Sequence, residues 1–181
     1  MPTAFDIDAA IRKIPNHPKP GILFYDVMPL FGSPDGLSAC VGRISGWAAE
    51  REVDAVVGAE ARGFIVGGAV ARELGVGFAA ARKPGKLPWE RVSQSYELEY
   101  GTDSLEIHTD AIVPGSRVLV HDDLLATGGT AQATCELVER LGGTVAGVAF
   151  VVELTFLPGR ERLGGYDVLS LVSYDSEAVP A

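Results

Sequence analysis

Cysteine is nearly absent: Cys40 and Cys135 are the only two among 181 residues, they share no CxxC spacing, and no secretion pattern accompanies them. Both are therefore expected to be reduced, buried and structural. Long apolar runs are missing as well. None approaches the ~20 residues that cross a bilayer, and Met1-Pro2-Thr3-Ala4-Phe5-Asp6 lacks the basic and apolar parts of a cleavable leader, which points to the cytoplasm and away from membranes. Positive charge is scarce too, with 15 Lys and Arg against 24 Asp and Glu and a formal net charge of -9. That balance argues against a broad nucleic-acid footprint, so a phosphate-rich ligand would need basic groups concentrated locally. Internal repeats and low-complexity segments are absent.

What is present is 47% hydrophobic content, enough for one good core and little more, so the chain reads as a single domain over residues 1–181. Val- and Ala-rich runs alternate with longer amphipathic stretches, the pattern of a mostly parallel sheet covered by helices: a doubly wound α/β fold. Strands are expected at Ala55–Gly58, Gly77–Ala80, Arg117–His121, Val145–Val152 and Val168–Val172, with helices after the first, third and fourth. Asp6 suits the N-cap of a short helix ending before Pro15. Ser33-Pro34 suits the start of another, whose apolar stripe is Leu37, Cys40, Val41, Ile44, Trp47 and Ala48. Between Arg82 and His108 the helical rhythm disappears. Pro84, Gly85 and Pro88 are followed by alternating segments around Tyr96–Tyr100 and Ser104–His108, which predicts a long loop or hairpin projecting from the core.

The strongest chemical signal is Val118-Leu119-Val120-His121-Asp122-Asp123-Leu124-Leu125-Ala126-Thr127-Gly128-Gly129-Thr130, followed by a helical stretch from Ala131 to Leu141. An apolar strand delivers two carboxylates, which can accept hydrogen bonds from sugar hydroxyls. The Thr/Gly loop then lets backbone N–H groups converge at a helix N-terminus, where a phosphate monoester is favoured. Taken alone, Thr127–Thr130 is also the shape of an ordinary strand-to-helix turn. A second strand-to-helix junction, Gly58-Ala59-Glu60-Ala61-Arg62-Gly63-Phe64, offers a forked guanidinium beside a helix start, which suits a pyrophosphate, although Arg-Gly occurs in many surface turns. A third segment, Arg82-Lys83-Pro84-Gly85-Lys86, gathers three cations in an acidic protein and fits either a solvated loop or a lid over a polyanion.

The Asp-Asp-Leu-Leu-Ala-Thr-Gly-Gly-Thr run at 122–130 resembles the phosphoribosyl pyrophosphate signature of type I phosphoribosyltransferases, in the form carried by their adenine-specific branch. The likeness covers nearly the whole chain and fades after Tyr174. It implies transfer of a 5-phosphoribosyl group from phosphoribosyl pyrophosphate to adenine, giving AMP and pyrophosphate. The rival readings are a transferase for hypoxanthine, guanine or xanthine, and a non-catalytic sensor of phosphoribosyl pyrophosphate. By the resemblance, Asp122 and Asp123 contact the ribose hydroxyls, Ala126, Thr127, Gly128, Gly129 and Thr130 wrap the 5′-phosphate, and Arg62 lies in a pyrophosphate loop whose cis peptide falls at Glu60-Ala61. Residues 82–108 become a flexible catalytic loop in which Arg82, Lys83 and Lys86 meet pyrophosphate, Glu99 handles a proton and Tyr100 stands near the leaving group. Residues 1–32 become a base-binding hood in which Phe24 stacks on the purine and Tyr25 replaces a common arginine. The resemblance also implies Mg2+ held mainly through the substrate, and a homodimer in which Arg82 and Lys83 act across the interface. His121 departs from the aliphatic residue usual at its position and reads as a satisfied strand imidazole.

Overall fold

The computed structural model describes residues 5–97 and 101–176. In chain order the elements are α1 (Ile7–Ala10), β1 (Arg12–Pro15), β2 (Leu23–Asp26), α2 (Met28–Phe31), α3 (Pro34–Ala49), β3 (Ala55–Ala59), α4 (Gly63–Leu74), β4 (Gly77–Ala81), β5 (Arg91–Glu97), β6 (Thr102–His108), β7 (Arg117–Leu125), α5 (Gly129–Arg140), β8 (Thr144–Leu154), α6 (Gly159–Arg162) and β9 (Val168–Tyr174). Five parallel strands form the central sheet in the order β4-β3-β7-β8-β9. The order reverses between β3 and β7, so a crevice opens outside the carboxyl ends of those two strands.

Both sheet faces are covered, which is why the core strands read as nearly continuous apolar runs. Val56, Leu119, Ala149 and Val151 face one core with Ile44 of α3 and Val66 and Val70 of α4. Val57, Val118, Val120, Val148 and Phe150 face the other, with Leu137 and Val138 of α5. The β1–β2 hairpin and its two short helices close the first core through Ile7, Leu23, Val27 and Leu30.

Two helices stand where they are expected, both short, and two expectations need correcting, the end of the third core strand and the depth of segment 82–108. The helix capped by Asp6 stops at Ala10, because Arg12–Pro15 is taken up as a strand paired with β2, where Pro15 sits at the end of a two-stranded ribbon. Strand β7 does not end at His121. Its pairing with β8 continues to Leu125↔Glu153, so Asp122 and Asp123 are themselves strand residues. The helix after the fourth core strand is a single turn, α6. Finally, segment 82–108 is rooted in the core rather than projecting from it: β5 pairs with β6, and Leu105 and Ile107, fully buried, lie in the core beneath α5 with Tyr96. The root is further tied by backbone hydrogen bonds exchanged between Arg82 and Glu106.

Candidate active site

The first half of the site is built at the end of β3. The Glu60–Ala61 peptide is cis, as the loop's resemblance implied, and Arg62 forms the N-cap of α4. Gly63 follows, and a Cβ there would come within 2.9 Å of the His121 carbonyl oxygen and 3.1 Å of Asp122 Oδ1. Only a residue without a side chain lets the start of α4 lie this close to β7. Arg62 is thereby delivered to the second half of the site.

That half is the end of β7. Asp122 Oδ1 accepts the Asp123 backbone N–H at 2.9 Å, while Asp123, 4% exposed, has Oδ2 2.7 Å from Arg62 Nε. The guanidinium N–H does not align on that oxygen, so Asp123 Oδ2 is buried with an ion pair but without a hydrogen bond. Burial raises the pKa of both carboxyls; for Asp122 the neighbouring Asp123 charge adds to the rise, and for Asp123 the Arg62 charge opposes it. Beyond them, Ala126, Thr127, Gly128, Gly129 and Thr130 curl around a concavity of about 80 Å³ that Asp122 also lines. Gly128 enters α5 at φ +81°, where an L side chain would be strained, and the twelve-residue helix points its N-terminus into the loop.

The hood supplies the third wall. Phe24, half-buried, meets His17 edge-on at 5.1 Å and has the Arg62 guanidinium 5.9 Å from its ring centre. Tyr25, next along β2, points the other way: it is 5% exposed and stacked 4.0 Å from Tyr174, so its ring belongs to the core.

The cations of the third segment are engaged elsewhere in this structure. Both arms of Arg82 bond Glu60 at 3.2 Å, and Glu60 also accepts the Lys83 N–H at 2.9 Å. The Arg82 hydrogen bonds hold the Glu60 carboxyl below its usual range. Lys83 bonds Asp103 and, at 3.0 Å, the Tyr96 hydroxyl; these partners outweigh its burial and raise its pKa. Lys86 is exposed. Sequence reasoning missed Glu60 and Asp103 as the holders of these cations, and the acid beside Arg62 was the one available signal. Glu99 and Tyr100 lie outside the described residues.

Residues 38–170 match the family model of the phosphoribosyl transferase domain. The chain belongs to the phosphoribosyltransferase family. It is 60% identical over 164 residues to the adenine phosphoribosyltransferase of Nitrosococcus oceani, covering 91% of this chain and 96% of that protein. Among solved structures, the adenine phosphoribosyltransferase of Thermoanaerobacter pseudethanolicus superposes with a TM-score of 0.90 at 50% identity, covering 93% of this chain and 98% of that one. The Saccharomyces cerevisiae adenine phosphoribosyltransferase, solved with adenine and an imino-altritol bisphosphate, gives 0.87 at 42% identity, over 91% and 96%.

Within this phosphoribosyltransferase, His121 is fully buried, and Nδ1 lies 2.8 Å from the Ala149 carbonyl oxygen. A carbonyl only accepts, so Nδ1 carries the proton and the ring is neutral; Nε2 has no partner. Burial lowers its pKa to about 4 from 6.5. Because the folded value is depressed, the fold is favoured above the unfolded pKa, and stability drains away as pH falls from 6.5 toward 4. By pH 5 the loss attributable to His121 is about 2 kcal/mol. Urea unfolding at pH 7 and pH 5 should therefore show a smaller acid loss in His121→Val than in the parent chain. Equal losses would remove the buried neutral imidazole from the account.

Proposed function

We infer that this phosphoribosyltransferase acts on adenine, joining adenine N9 to the anomeric carbon of phosphoribosyl pyrophosphate and giving AMP and pyrophosphate in purine salvage. One observation carries the reading: at the reversal of strand order, Arg62, Asp122, Asp123 and the 126–130 concavity converge, in a chain 60% identical to an adenine phosphoribosyltransferase. In this reading the 5′-phosphate occupies the concavity, held by loop N–H groups, the Thr127 and Thr130 hydroxyls and the dipole of α5. Asp122 and Asp123 accept the ribose hydroxyls, and a hydroxyl proton aligned on Asp123 Oδ2 would satisfy that orphaned oxygen. Arg62, one residue outside the helix and 43% exposed along its side chain, neutralises charge on the departing pyrophosphate. Phe24, facing Arg62, stacks on the purine, while Tyr25 contributes only through its backbone.

Positive charge develops on the ribosyl ring as the bond to pyrophosphate breaks, and one proton must be exchanged at the base. Glu99 is assigned the proton at N7, and Tyr100 a place near the leaving group. Arg82, Lys83 and Lys86 complete the anion site when segment 82–108 closes, which requires Arg82 to leave Glu60 and Lys83 to leave Asp103. A homodimer in which Arg82 and Lys83 serve the facing subunit fits their position: Arg82 follows the edge strand β4, whose Phe78 is 39% exposed. The hood is residues 1–32, within one domain spanning 1–181, and the two buried free cysteines fit the cytoplasm.

Mg2+ fits this site as a partner of the substrate. Asp123 already faces Arg62 and Asp122 accepts the Asp123 N–H, and Mg2+ keeps waters and favours phosphates, so the pyrophosphate oxygens and water are its expected main donors. When bound, the ion supplies neutralisation of the leaving diphosphate.

The test is release of pyrophosphate from phosphoribosyl pyrophosphate with adenine, hypoxanthine, guanine or xanthine. Adenine is expected to be the base that drives release above the base-free background. A better rate with another purine would shift the assignment of the base, and no release with any would favour a sensor.

A further inference from the structure

The single turn α6 makes no contribution to the concavity's lining, yet it is held with unusual care. Arg160 bonds the buried Glu153 through both arms, Nε to Oε1 at 2.8 Å and Nη2 to Oε2, and reaches the Val168 carbonyl at 2.8 Å and Ser170 Oγ at 3.2 Å. Leu163, the next residue after the turn, is fully buried. What this anchored turn presses on is the outside of the 126–130 loop. A Cβ on Gly159 would overlap the Ala126 carbonyl oxygen and come within 2.9 Å of Leu125 Cγ; a Cβ on Gly128 would come within 3.0 Å of the Gly159 backbone. Loop and turn are in backbone-to-backbone contact.

We propose that Gly159 is a positioning residue for the donor's phosphomonoester, because α6, locked by Arg160 on Glu153, sets the direction of the loop's peptide groups. The Ala126 carbonyl is turned toward Gly159. In a trans peptide the following N–H points the opposite way, so the Thr127 N–H is turned from α6 toward the concavity. A residue at 159 with a side chain must push the Ala126 carbonyl, rotate that peptide and take the N–H off the phosphate. Glu153 and Arg160 act at one remove, by keeping the turn from retreating. The proposal rests on reading 126–130 as the phosphate loop, and its consequence is specific: phosphate affinity suffers while the base site, walled by Phe24, does not.

Gly159→Ala should raise the KM for phosphoribosyl pyrophosphate about 10- to 100-fold, the scale of one lost hydrogen bond to a charged group. Affinity for AMP should fall alongside, while adenine binding by calorimetry stays within about twofold and kcat changes far less than KM. Glu153→Gln adds no bulk at 159 and serves if Gly159→Ala fails to fold; it should raise the same KM by a smaller factor. Unchanged donor KM in the folded variant overturns the proposal, as does an equal loss of AMP and adenine binding, which would mark a general structural defect. Thr127→Val with Thr130→Val, measured in parallel, separates the two readings: if these also leave donor KM and AMP binding untouched, the phosphate loop itself is misassigned.

Discussion

Asp122→Asn combined with Asp123→Asn is expected to lower kcat/KM for phosphoribosyl pyrophosphate by about 10²- to 10⁴-fold, with the folded structure retained. In the proposed site each carboxylate accepts hydrogen bonds from ribose hydroxyls, worth about 1.5–3 kcal/mol when the acceptor is charged, and the amides lose that charge at both positions. Stability should move the opposite way from activity. Burial raises both carboxyl pKa values in the fold, and for Asp122 the neighbouring Asp123 charge adds to the rise. A group with a raised folded pKa favours the fold below its unfolded pKa and loses that contribution as pH rises through the folded value, so keeping charge on this pair is a burden on the native state. The amides remove it. Chemical denaturation at neutral pH should show the double variant at least as stable as the parent. Normal donor kinetics in the folded variant would contradict the ribose assignment, and marked destabilisation would show instead that the pair supports the core.

Much of this arrangement is legible in the sequence because its physics is local. Val56 and Val57, like Leu119 and Val120, take opposite faces of a sheet that is covered on both sides, and such strands write themselves as apolar runs. Thr127-Gly128-Gly129-Thr130 is legible because converging N–H groups need residues without Cβ atoms. The misses share another cause: each was decided by a distant partner. Asp122 and Asp123 are poor strand formers, but β8 runs on beside them to Glu153 and the ladder overrides their preference. Residues 104–108 alternate polar and apolar as a solvent-washed hairpin would, and nothing in that rhythm tells that Leu105 and Ile107 lie under α5. Tyr25 rather than Phe24 turns inward because of the register Lys13↔Tyr25 and the presence of Tyr174, which come from opposite ends of the chain. Glu60 and Asp103 became visible as holders of Arg82 and Lys83 only once the loop after β3 and the hairpin stood side by side.

Glu99→Gln is expected to reduce kcat by about 10²- to 10⁴-fold, the range for removing a general acid–base group, while changing the KM for adenine far less. A glutamate in an alternating segment is ordinarily a solvent-facing residue, so the assignment rests on family resemblance and on what the reaction needs. The reaction needs one proton managed at N7 as N9 attacks, and the groups gathered at the carboxyl ends of β3 and β7 do not meet that need: Arg62 carries a fixed positive charge, Asp123 faces it, Asp122 accepts the Asp123 N–H, and the proposed site gives both carboxylates to the ribose. Gln keeps the size and hydrogen-bonding reach of Glu99 and removes only the basic oxygen, which isolates the proton from the contact. Glu97 is the natural control. It is the last residue of β5, exposed and paired across the hairpin with Thr102, so Glu97→Gln alters charge two positions away without touching the assigned chemistry. Steady-state kinetics with adenine, extended over pH, should show the acid limb of the kcat profile flattened in Glu99→Gln and preserved in Glu97→Gln. A rise in KM alone would make Glu99 a uniform binding contact, and equal, mild effects at both positions would leave the proton without an owner at residue 99.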